Sequence, residues 1–171
     1  LKERVKELLD EAFEEYNSLF LIDFTIKGAN EIRVVIDGDE GVTVQDCMNV
    51  SRKVEHNLDR EEEDFSLEVM SAGATEPLIN KRQYKKNIGR DLEVKLNDGS
   101  KVIGTLDAAD DEKISLSWKE RVPKEVGKGK MTVEKKEEIA YAVANISIFG
   151  IFAMIIYPFV AYYVFPENLV S

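Results

Sequence analysis

A chain of 171 residues with 44% apolar content is long enough for one medium domain or two small ones, each with its own core. A net charge of −10 argues against coating nucleic acid along the whole length, and the single cysteine, Cys47, excludes an internal disulfide framework. The charge is uneven: residues 1–64 hold 18 acids against 8 bases, whereas residues 79–101 hold 7 bases against 3 acids.

The first residues, "LKERVKELLDEAFEEY", are charged and helical in period, and no secretory signal is visible in them. Leu1, Val5, Leu8, Leu9, Ala12, Phe13 and Tyr16 share one helical face. In "FLIDFTI" the alternation of Phe20, Ile22, Phe24 and Ile26 predicts a strand with one buried face. "KGAN" reads as a hairpin turn, and Ile32, Val34 and Ile36 alternate in the returning strand. Thr43 with Asp46 three residues later approximates a capping box. It opens a helix whose predicted apolar side is Val44, Cys47, Met48, Val54 and Leu58. Phe65, Leu67 and Val69 alternate as a third strand, so residues 1–72 read as one α-β-β-α-β unit of the α+β class.

Residues 73–90 form a junction of different chemistry. The small residues "SAG" lead to Lys81, Arg82, Lys85, Lys86 and Arg90, with no acid from 81 to 90. Positive charge without nearby acids is the feature that attracts phosphate, and core packing does not require it. Beyond Arg90 the strands are short. Leu92, Val94 and Leu96 alternate, "NDGS" carries an Asp-Gly hairpin turn, and Val102 to Leu106 returns. Ile114, Leu116 and Trp118 alternate next. "KERVPKEVGKGK", residues 119–130, reads as a polar loop with five bases against two acids. Met131 and Val133 begin a further strand and "EEIAYA" another. Several short antiparallel strands across 91–149 predict a small barrel that closes away its edges.

Other constellations carry no chemistry. Counting from Asp37, a calcium loop would need ligands where Gly41 and Met48 stand. His56 is the only histidine and forms no familiar zinc site with Cys47, which sits on an apolar helix face. "GKGK" lacks the glycine spacing and the Ser/Thr of a phosphate loop. No nucleophile–base–acid arrangement is recognisable, so a binding module is expected rather than an enzyme, with no cofactor and no metal.

Taken together, "FLIDFTI", "IRVVIDGDEGVTVQDCMNVSRKVEHNLD", "FSLEVMSAGATEPL", "RQYKKNIGRDLEVKL" and "GTLDAADDEKISL" resemble the ribosome maturation factor RimP family, in order and spacing, over residues 19–116. The resemblance implies an N-terminal α+β domain joined to an SH3-like, Sm-like barrel. It implies a cytoplasmic factor that assists small-subunit (30S) assembly by binding the immature particle, in contact with rRNA and a small-subunit ribosomal protein; a monomer is expected. By their uncompensated charge, Lys81, Arg82, Lys85, Lys86 and Arg90 are expected to face that RNA, beside a junction turn marked by Ser71, Gly73 and Pro77. The family's usual junction is Ser-Ser-Pro-Gly and then Leu-Asp-Arg-Pro-Leu; here Met70-Ser71-Ala72-Gly73 leads to Ala74-Thr75-Glu76-Pro77-Leu78.

The end of the chain departs further. No charged residue occurs from Ile139 to Pro166, and Ile146 to Phe165 spans 20 positions. At about 1.5 Å per helical residue that stretch reaches one bilayer core. Its composition reads as a membrane anchor, with Lys135 and Lys136 on the cytoplasmic side. The soluble family speaks for two other readings of the atypical tail 150–171: a non-native end, or an excess beyond a last barrel strand at "NISIF". A membrane-tethered adaptor on the same two-domain body is the alternative function, and a small-molecule or metal enzyme a further one.

Overall fold

The computed structural model describes residues 1–59, 64–74, 76–141, 144–148 and 161–164. The chain divides into two compact units, one built on Leu1–Gly73 and the other beginning at Ala74.

In the first unit, α1 (Lys2–Glu15) buries Val5, Leu8, Leu9 and Ala12, one stripe of its 3.6-residue period. β1 (Leu19–Lys27) returns antiparallel as β2 (Glu31–Gly38) through a turn in which Gly28 and Asn30 take φ of 46° and 59°. Glycine and asparagine are the residues that enter this left-handed region at least cost. β2 runs parallel to β3 (Ser66–Ser71), which a hairpin cannot achieve, and α2 (Val44–Glu55) is the crossover between them. Thr43 and Asp46 start that helix with the expected capping box. The Asp46 carboxylate accepts the Thr43 N–H at 2.7 Å, and the Asp46 N–H donates to the Thr43 hydroxyl at 3.2 Å. Val5, Leu8 and Leu9 of α1, Cys47, Val50 and Val54 of α2, and Ile32, Val34, Ile36, Leu67 and Val69 of the sheet form one core. The sheet order is β1-β2-β3-β9, with β9 (Ala161–Val164) antiparallel to β3.

Two details differ from the sequence expectation. β1 carries a bulge between Leu21 and Asp23, so its alternation shifts phase. Leu19 is buried in the core and Leu21, Phe24 and Ile26 pack against it, while Ile22 does not join. On α2, Val44 stands in the first turn and remains 53% exposed. Val50 and Ser51 take the inward places instead; the Ser51 hydroxyl has no hydrogen-bond partner among the described residues.

The second unit contains α3 (Lys81–Lys86), β4 (Asp91–Leu96), β5 (Lys101–Ala109), β6 (Lys113–Pro123), β7 (Lys130–Ala140) and β8 (Ala144–Ile148). The Asp-Gly turn between β4 and β5 forms as expected, with Gly99 at φ 87°. Leu92, Val94, Leu106, Ile114, Leu116, Ile139 and Ile146 make the core, together with Leu78 and Tyr84.

Closure into the expected SH3-like barrel is not seen among the described residues. The strands form a five-stranded antiparallel sheet in the order β7-β6-β5-β4-β8, which is not closed among the described residues. Closure requires the two outer strands to pair. Here β7 and β8 do not pair with each other among the described residues: β8 bonds to β4, and β7 runs in an unbroken ladder with β6 from Lys113↔Ala140 to Pro123↔Lys130. The same ladder corrects the predicted polar loop: residues 119–123 continue β6, and the bend is confined to Lys124–Gly129, where Gly127 and Gly129 take φ of 88° and 121°. Met131, Val133 and "EEIA" lie on the single strand β7. "NISI" is the strand β8, as one reading of the tail expected.

Of the apolar stretch 146–165, the described parts are strands, the end of β8 and all of β9. Among the described residues no helix is long and apolar enough to cross a membrane. Residues 149–160 and 165–171, which hold the rest of the predicted anchor, lie outside the described residues.

The capping box sets a test. Thr43→Ala should lower the free energy of unfolding by about 1 kcal/mol, whereas Val44→Ala should change it by no more than about 0.5 kcal/mol, as for an exposed side chain. Urea unfolding followed by circular dichroism measures both, and equal losses would contradict the outward placement of Val44.

Candidate nucleic-acid interface

Six residues are too few for a helix to persist in water, so α3 depends on what it is tied to. Its start is a second capping box. The Asn80 side chain accepts the Arg82 N–H at 2.9 Å, and the Gln83 side-chain oxygen accepts the N–H groups of Ile79 and Asn80 at 2.9 and 3.0 Å. At the other end the Asn87 amide donates to the Gln83 carbonyl at 2.7 Å. Gln83, Tyr84 and Asn87 are buried and form the inner face.

Two anchors bind this face to the sheet. The Tyr84 hydroxyl donates to the Leu78 carbonyl at 2.8 Å, and the Leu78 N–H donates to Ile146 of β8 at 2.7 Å. The Tyr84 ring lies against Tyr141, with centroids 4.7 Å apart and planes inclined at 34°. Beyond the helix, Gly89 at φ 87° turns its N–H to the Leu106 carbonyl at 2.7 Å, and the Leu106 N–H returns to Arg90 at 2.8 Å. The basic segment is thereby fixed at both ends.

With 83, 84 and 87 turned inward, helical geometry sends the cations outward. Lys81, Lys85 and Arg90 are exposed, and Arg82 and Lys86 are half-buried. All five expected residues therefore lie on one short, anchored segment. They are not equivalent. Lys81 Nζ lies 4.0 Å from a carboxylate oxygen of Asp111, beside the acidic turn Asp110-Asp111-Glu112. Both groups are well exposed, so the pair adds little stability, but it offsets the charge of Lys81. The Asp110 carboxyl is held below the usual range by the N–H groups of Glu112 and Lys113 first, with a smaller contribution from Lys81. Lys85 and Arg90 take part in no ion pair among the described residues. Ile79 and Ile88, 64% and 50% exposed, flank the cations.

Of the junction residues, Ser71 and Gly73 belong to the first unit and Pro77 to the second. Ser71 ends β3, and the following Ala72 N–H donates to Ile36 at 2.8 Å. Pro77 is exposed and immediately precedes the buried Leu78. Sequence reading missed Asn80, Gln83, Tyr84 and Asn87, although Asn80 with Gln83 three residues later is a capping signature that was available. Elsewhere, His56 is exposed, and burial first and Asp46 second push the Cys47 thiol up to about 11. Among the described residues no cluster of His, Cys, Asp and Glu could hold a metal ion.

Tyr84 reports on the anchoring. Burial first, and Tyr141 second, push its phenol up to about 12 from an ordinary value of 10. Folding thus favours the neutral form, so its contribution is complete below pH 10 and is lost as pH rises through 12. Ultraviolet titration should show Tyr84 among the last tyrosines to ionise, in step with loss of stability over that window. Tyr84→Phe should cost about 1 kcal/mol and flatten the alkaline fall; an unchanged alkaline profile would contradict this account.

The family profile described as RimP N-terminal domain matches residues 6–75. The chain is 60% identical over 141 residues to the ribosome maturation factor RimP of Christiangramia forsetii, covering 82% of this chain and 92% of that protein. It is 50% identical over 147 residues to the ribosome maturation factor RimP of Flavobacterium psychrophilum, covering 86% and 95%. With the ribosome maturation factor RimP of Porphyromonas gingivalis the identity is 35% over 127 residues, covering 74% and 82%. The chain belongs to the ribosome maturation factor RimP family.

Proposed function

We propose that this protein is a ribosome maturation factor that acts on the small (30S) subunit by binding the immature particle in the cytoplasm, without chemistry of its own. The observation that carries the reading is the 60% identity to a named ribosome maturation factor across nearly all of that protein's length. The anchored cations of α3 support a contact with ribosomal RNA. Arg82 and Arg90 present forked donors suited to phosphate, and the lysines act as point charges. A small-subunit protein would supply the rest of the contact surface.

Lys85 and Arg90 take part in no ion pair among the described residues, whereas Lys81 already faces Asp111, so the first two are changed together with the neighbouring Lys86. The triple substitution Lys85→Ala, Lys86→Ala, Arg90→Ala should weaken association with immature small subunits. It should also reduce the steepness of the salt dependence by about 2, since each lost phosphate contact removes roughly 0.7–0.9 from the slope. The melting temperature should fall only slightly, as Lys85 and Arg90 are exposed, Lys86 is half-buried, and solvated charges contribute little to stability. Unchanged affinity and slope would reduce the segment to a solvated connector. A collapsed melting temperature would make it structural.

A further inference from the structure

β5 accompanies β6 only as far as Thr105↔Ser117, whereas the β6–β7 ladder continues from Trp118↔Lys135 to Pro123↔Lys130. The outer part of the β6–β7 hairpin is therefore a two-stranded ribbon projecting past its neighbour. Strand alternation gives the ribbon two chemically distinct faces. Trp118, Glu120 and Val122 share one face with Met131, Val133 and Lys135, where Lys135 pairs with Glu120 and Val122 stands opposite Met131. Lys119, Arg121 and Pro123 share the other with Lys130, Thr132 and Glu134.

The second face is basic, and its cations are handled differently from those of the rest of the sheet. Lys101 pairs with Glu93, Lys113 with Glu138, Lys135 with Glu120 and Lys136 with Asp107. Lys119, Arg121 and Lys130 are exposed and take part in no ion pair among the described residues, although Glu134 stands opposite Lys119 in register. The tip adds Lys124 and Lys128, also exposed and without an ion pair among the described residues.

We propose that the basic face of the β6–β7 ribbon is a second RNA-binding arm, in which Lys119, Arg121 and Lys130 hold backbone phosphates with Lys124 and Lys128 at the tip. This inference deepens the reading of the protein as a factor that binds an RNA-containing particle. A narrow ribbon with cations on one side follows a phosphate backbone, and Arg121 supplies the forked contact that fixes its position. Specificity is not demanded of such contacts; they position the protein and steepen its salt dependence.

The test uses the full chain, a protein-free transcript of small-subunit ribosomal RNA and purified small subunits. Lys119→Thr, Arg121→Thr and Lys130→Thr together remove the charge while keeping good strand formers. Binding to the transcript across a salt series should lose about 2 from its slope. The charge-retaining triple Lys119→Arg, Arg121→Lys, Lys130→Arg should preserve the slope. An unchanged slope for the threonine variant overturns the inference, as does an equal loss in both triples with a lowered melting temperature, which would mark a structural role. If Val126→Asp with Met131→Asp weakens particle binding while the threonine variant does not, the ribbon docks protein and the inference fails. The Lys85, Lys86, Arg90 variant run in parallel separates the two claims. Loss there alone overturns only the ribbon; loss in the ribbon alone supports the inference and removes the α3 reading; loss in neither removes both.

Discussion

Leu78 is the residue on which the candidate interface depends. Its carbonyl accepts the Tyr84 hydroxyl and its N–H donates to the Ile146 carbonyl, so one buried residue joins the basic helix to β8. A six-residue helix has no stability of its own to offer. Removing the Tyr84 hydroxyl leaves a buried carbonyl that water does not reach, the more costly side of the hydrogen-bond balance. The tyrosine ring contributes a second way, by packing against Tyr141, whose own hydroxyl donates to the Asp110 carbonyl at 2.9 Å. The turn that places Asp111 beside Lys81 is thus tied to the same aromatic pair that holds the helix.

This arrangement separates what makes the segment stable from what makes it useful. Stability comes from the inward-facing Gln83, Tyr84 and Asn87 and from the capping Asn80, none of which carries a charge. The outward residues are free to be cationic because nothing in the core needs them. The first unit takes the opposite sign, since residues 1–64 alone carry 18 acids against 8 bases. A phosphate backbone is therefore repelled by one unit and attracted by local features of the other.

The parts of the fold that were legible in the sequence are those set by near neighbours. The α1 stripe, the Thr43–Asp46 box, the Gly99 turn and the β2 alternation all depend on residues a few positions apart. What was not legible depends on distant partners. The bulge in β1 follows from its register with β2, and the course of β6 through "KERVP" follows from pairing with β7, which overrides charge and proline signals that read locally as a loop. Pro123 is tolerated because it ends the strand. Barrel closure was also a matter of which distant strands meet, and the alternating pattern that predicts strands is silent about that. At the site, the five cations were visible as a run, but Asp111 opposite Lys81 lies 30 positions away. The ribosomal role was legible only through resemblance, because charge and spacing point to phosphate and no further.

Under the proposed reading, exposed cations such as Lys85, Arg90, Lys119 and Arg121 suit a factor that must both find a particle and leave it. Each such charge adds little to folding, so sequence can place it for binding alone. Contacts of this type act more on the rate of encounter than on residence, because they remain solvated at the rim of an interface. The anchored segment of α3 and the β6–β7 ribbon differ here in a useful way. α3 is bound to the core by Tyr84 and presents its cations on a fixed base, flanked by the exposed Ile79 and Ile88 that can exclude water once contact is made. The ribbon past Thr105↔Ser117 is tied to the core only at its base, through Trp118, and beyond that is held by its own ladder; two-stranded ribbons are marginally stable alone. Long reach with little rigidity favours capture, whereas a rigid base with apolar flanks favours retention. Division of these tasks within one unit follows from how far each element stands from the core formed by Leu92, Leu106 and Leu116.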